Sequence, residues 1–213
     1  MPSNSNAASR RPGLSQFQRD RFLQTGVVHL PGVIAPPAAE TMAGRLWATL
    51  ASQHGAVRDR PETWTTERPA QFRDLRHSGA FAEMAGPGLT ALLDDFFGEG
   101  GWTRPAHWGQ PLVTFPTRPP WRVPHAAWHL DIPPGQLLEP WPNYIRIFTF
   151  LAPVEPGGGG TVYVAGSHRV VMQMMAQAPR PDRIRSAGVV AALRQESPWI
   201  APSVSRMKTR SGR

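Results

Sequence analysis

Two residues set the chemical question for this chain. They are His129 and Asp131, in the stretch "PHAAWHLDIPPG" from Pro124 to Gly135. Side chains alternate faces along a strand, so residues two apart stand side by side. An imidazole nitrogen and a carboxylate oxygen then reach one metal ion together. That donor pair suits Fe(II), which non-haem iron oxygenases hold with two histidines and one carboxylate on one face. Trp128 and Leu130 point the other way, into apolar packing. The plainer alternative is a polar pair in a sheet with no metal at all. His125 shares the face of His129 but lies two rise-pairs away, about 13 Å at ordinary strand rise. It is assigned to the rim of the site or to packing.

Composition narrows the choice of donors. The chain has 213 residues and no cysteine, so disulfide scaffolds and thiolate metal centres are excluded, and any metal is held by His, Asp or Glu. A reducing cytoplasm fits that usage. The net charge of +8 invites a nucleic-acid reading, but six of those charges sit at the ends. Arg10 and Arg11 lie near the start, and Arg206, Lys208, Arg210 and Arg213 close the chain. The body is nearly neutral and shows no basic stripe, so nucleic acid is not expected as a partner. No apolar run is long enough to span a bilayer, and the first residues hold no apolar core of a secretory signal.

The elements that must position the pair follow from periodicity. Ser15 is placed to cap a short helix, "QFQRDRFLQT", that stops at Gly26. A second helix, "APPAAETMAGRLWATLASQHG", has proline near its start, Gly55 just past its end, and Met42, Leu46, Trp47 and Leu50 on one stripe. "FAEMAG" and "LTALLDDFFG" read as short helices, and residues 56–78 as charged and irregular. The middle changes character. "WGQPLVTFP", "HAAWHLDIP", "NYIRIFTFLAPV" and "TVYVAG" read as strands separated by Pro/Gly breaks, and "VVHLPG", between the first two helices, as a strand closed by a Pro-Gly turn. Helical patterning returns in "VVMQMMAQAP" and "PDRIRSAGVVAALRQES". The order predicts an α+β protein with an antiparallel sheet or barrel. About five strands are too few for a closed barrel or jelly roll, which wants about eight.

Three stretches, in order, carry a resemblance. "FQRDRFLQTGVVHLPGVIAP", "WHLD" and "EPGGGGTVYVAGSHR" together resemble the phytanoyl-CoA dioxygenase-like family of Fe(II)- and 2-oxoglutarate-dependent oxygenases, over residues 14–200. The resemblance implies a double-stranded β-helix, a jelly-roll or cupin-like barrel, with flanking N-terminal helices. It implies Fe(II) and the cosubstrate 2-oxoglutarate, which dioxygen decarboxylates as a C–H bond of a small organic substrate is hydroxylated. His129 and Asp131 carry over as iron ligands. His168, in "GSHR", does not; its expected role is to hold loop backbone by hydrogen bonds.

The sequence also departs from that family. A third ligand, a later histidine, is expected, followed by an arginine that grips the far carboxylate of 2-oxoglutarate as a planar fork. No histidine follows His168. The expectation is therefore a barrel lacking its last strands, a disordered lead-in over 1–13, a domain over 14–200 and a disordered basic tail over 201–213. A frameshift or early stop near residue 201 would produce that tail. Arg146, on the face of Phe148 and Phe150, is the candidate for an anionic cosubstrate or substrate, and Phe150 for packing against it. The competing expectation is a non-catalytic barrel that binds a partner or ligand without redox chemistry. A cupin-like binding barrel fits less well, since it wants histidine where Asp131 stands. Oligomeric state is not legible.

Overall fold

The computed structural model describes residues 13–116, 127–131, 144–156, 160–179 and 185–196. The chain divides into two compact units. One comprises Met1–Arg19, His29–Trp121 and Phe148–Thr161; the other comprises Asp20–Val28, Arg122–Ile147 and Val162–Arg213. The expected lead-in up to residue 12, the tail over 201–213 and His125 lie outside the described residues.

Helix α1, Gln16–Thr25, begins as its sequence predicts. The Gln18 N–H donates to Ser15 Oγ at 3.3 Å, and the Ser15 N–H donates to Gln18 Oε1 at 2.8 Å. This reciprocal cap satisfies two amides that would otherwise lack partners at a helix start. The helix ends at Gly26, whose φ of 77° is open to glycine at little steric cost.

In the first unit, α2 spans Pro36–His54, with proline in its first turn, where no amide hydrogen is missed. Gly55 closes it in the left-handed conformation, donating to the Ala51 carbonyl at 3.1 Å. Its stripe packs as expected. Leu50 is buried with Ala56, Phe72 and Phe115, and Leu46, Trp47 and Trp64 pack against them. Trp64 stacks on Phe115 at 4.8 Å, and its indole N–H is satisfied by the Val57 carbonyl at 2.9 Å. The short α3, Arg73–His77, and α4, Pro87–Phe97, complete this unit; α4 buries Leu89 and Leu93.

The second unit holds α5, Ser167–Gln177, and α6, Ser186–Glu196. Val171, Val189 and Leu193 form its core, packed by Trp128, Leu130, Val164, Val170, Met174 and Met175. The expected "VVMQMMAQAP" helix starts earlier than its apolar pattern, so His168 sits in the first turn of α5.

None of the five predicted strands is laddered among the described residues. Among the described residues, an isolated antiparallel β-bridge joins Val57 and Arg60. A strand signal in sequence reports local extension and alternation, whereas a strand exists only by hydrogen bonds to a neighbour. The alternation itself is present. Along 144–147, Tyr144 and Arg146 are exposed while Ile145 and Ile147 are partly covered. No helix among the described residues is long and apolar enough to cross a membrane.

Candidate metal centre

The segment 127–131 is anchored from behind. Trp128 and Leu130 pack on the core of the second unit, which leaves Ala127, His129 and Asp131 exposed on the opposite side. The predicted alternation thus places the two donor side chains together. His129 Nε2 lies 3.4 Å from Asp131 Oδ1.

The state of the imidazole follows from its other nitrogen. His129 Nδ1 is 2.7 Å from the Ala127 carbonyl oxygen. A carbonyl only accepts, so Nδ1 carries the hydrogen in the neutral ring and Nε2 presents a lone pair. That lone pair faces the carboxylate across a gap longer than a good hydrogen bond. Two donors at about 2.1 Å from a shared ion, separated by this gap, subtend roughly 110° at the metal. A main-chain carbonyl fixing the ring through its far nitrogen is the usual support for a metal-binding histidine. The pair therefore fits a first-row divalent metal by chemistry and by spacing. Among the described residues, no third His, Asp or Glu joins them.

Arg146 reaches the same place. Its Nη2 donates to the main-chain carbonyl of Asp131 at 2.8 Å, and its guanidinium carbon lies 5.4 Å from the ring centre of Tyr144. Tyr144 was not among the sequence candidates. Its signal was present, since it stands two residues before Arg146 in an extended run and so shares its face. Phe150 belongs to the first unit, where its side chain is 56 % exposed.

His168 is occupied elsewhere. Its Nε2 donates to the Leu23 carbonyl at 3.0 Å, so the ring holds backbone at the end of α1, and Gly166 N–H adds a bond to the Thr25 carbonyl at 2.9 Å. His168 Nδ1 is buried without a hydrogen-bond partner among the described residues, pressed against Gly26.

No family model, curated protein or solved structure matches the chain.

Proposed function

We propose that this chain is an Fe(II)- and 2-oxoglutarate-dependent oxygenase by descent, a cytoplasmic double-stranded β-helix protein acting on a small organic substrate. The observation that supports it most is the convergence of His129 Nε2 and Asp131 Oδ1 on one exposed face, with His129 Nδ1 turned to the Ala127 carbonyl so that Nε2 of the neutral ring is left for a metal. Iron bound there would supply the dioxygen chemistry. The chain's own part is to present one nitrogen and one carboxylate, with Arg146 beside them. The exposed ring of Tyr144, beside Arg146, suits a face meant to be covered by substrate or further protein.

A second reading rests on a specific observation. No third His, Asp or Glu accompanies the pair among the described residues. Two ligands hold iron weakly, which favours a barrel that binds without turning over. Anaerobic titration with Fe(II) and 2-oxoglutarate separates the two. A visible charge-transfer band, followed by succinate formation in air, supports the oxygenase. A metal-dependent change with no succinate supports the non-catalytic reading, and no response to either addition overturns the metal face.

A further inference from the structure

The geometry points to Arg146 as a positioning residue, which we infer holds the Asp131 carboxylate beside His129 by gripping the Asp131 main chain. The metal consequence of this inference rests on the function proposed above; the positioning itself does not. Asp131 is exposed, and its carboxylate has no close hydrogen bond among the described residues, with His129 Nε2 at 3.4 Å as its neighbour. The place from which that carboxylate can reach His129 then depends on the backbone that carries it, and the side-chain torsions choose among staggered positions from there. Beside the packing of Trp128 and Leu130, the bond from Arg146 Nη2 to the Asp131 carbonyl restrains this backbone at Asp131 itself, from a second distant point in sequence.

Arginine suits the task for a geometric reason. Its guanidinium donates in its own plane while its face lies over an aromatic ring. Tyr144 supplies that ring, on the same exposed side of the 144–147 run two residues back. The ring limits where the guanidinium can go, the guanidinium limits the Asp131 carbonyl, and the carbonyl limits the carboxylate. Only the carboxylate faces His129.

Two effects of Arg146 on a bound dication oppose each other. Its positive charge repels the ion, weakly, because the site is open to water and salt. Its grip on Asp131 pre-orders a ligand, and such supporting contacts commonly change metal affinity by about tenfold or more. Their signs differ, so affinity alone decides between them.

The experiment uses the full chain and Mn(II), read by electron paramagnetic resonance. Wild type, R146A, R146K and D131N are titrated at two salt concentrations, with thermal melts alongside. Positioning predicts about tenfold weaker binding in R146A, partial rescue in R146K, and an unchanged melting temperature. Equal or tighter binding in R146A overturns the inference while leaving the metal face intact. Should wild type bind no Mn(II), the metal face itself fails. The metal-free proteins then decide the positioning by the ring nitrogen resonances of His129. D131N shifts those resonances in wild type and R146K but not in R146A if Arg146 holds the carboxylate in place. An equal shift in the R146A background overturns it.

Discussion

The imidazole of His168 and the carbonyl of Leu23 meet at 3.0 Å although 145 residues separate them in the chain. This bond caps the last turn of α1 from the first turn of α5. It also explains a glycine. A Cβ on Gly26 would stand 2.5 Å from His168 Nδ1, and the backbone there has φ 77°. Gly26→Ala therefore meets both a clash and a strained conformation. It should cost more than about 1 kcal/mol, from the conformational term alone.

His168→Ala removes the donor and leaves the Leu23 carbonyl to water or to nothing. The expected loss is about 1–2 kcal/mol in urea unfolding. Mn(II) affinity should stay unchanged, because His168 is committed to backbone. A His168→Ala protein that keeps its stability but loses metal would reassign this histidine to the site.

His129 and Asp131 should behave in the opposite way. Both side chains are well exposed, at 68 % and 44 %. Their removal creates no cavity, so His129→Ala and Asp131→Ala should each move stability by less than about 0.5 kcal/mol. Each should abolish specific Mn(II) binding, and a chelator should mimic that loss in the unaltered protein. Retained binding in either variant, measured by the same titration, would remove that residue from the metal face.

Asp95 joins the start of α1 to α4. It accepts the Leu14 N–H at 2.9 Å and a guanidinium hydrogen bond from Arg19. Burial pushes its carboxyl up, but the Arg19 and Leu14 hydrogen bonds outweigh burial and hold it below the ordinary 3.8. A carboxyl lowered by folding adds stability that is present above its unfolded value and is lost as pH falls through its folded value. Asp95→Asn should destabilise the first unit by about 1–2 kcal/mol at neutral pH, with Arg19 partly exposed and so discounted. The difference from wild type should shrink as pH falls from about 4 downward. Urea midpoints across that range check it; a constant difference would mean the ionised carboxylate is not what stabilises.

Gln71 is the non-glycine residue with positive φ among the described residues, at 72°. It precedes buried Phe72 and follows Ala70, whose carbonyl lies 3.0 Å from His54 Nε2. The left-handed backbone costs a side chain roughly 1–2 kcal/mol, while glycine gives back part of that gain as chain entropy. Gln71→Gly should therefore stabilise by about 0.5–1 kcal/mol. A lowered denaturation midpoint would show that the Gln71 side chain contributes more than its strain costs.

Local rules in the sequence settled the ends of α1 and α2 and one face of the candidate site, but not α3, which lies in the stretch 56–78 read as irregular. Ser15 with Gln18, Gly26 and Gly55 mark helix ends through hydrogen bonds that close within a few residues, so neighbours in sequence suffice to write them. The stripe from Met42 to Leu50 fixed which side of α2 is covered, because a 3.6-residue period is a property of the chain itself. The two-residue period did the same for 127–131. It put Trp128 and Leu130 inward and left His129 and Asp131 together.

What depends on partners distant in sequence was decided only in three dimensions. Apolar alternation was legible over 127–131 and 144–147, but whether such a run pairs into a strand was not, since a strand is completed by a neighbour that its own residues do not specify. Nothing in "GSHR" names Leu23, and nothing in "NYIRIF" names the carbonyl of Asp131. The tautomer of His129 was equally hidden, because it rests on where the Ala127 carbonyl points once the backbone bends. Residue types supplied the possible chemistry of this chain, and tertiary placement decided which nitrogen, which carbonyl and which carboxylate face one another.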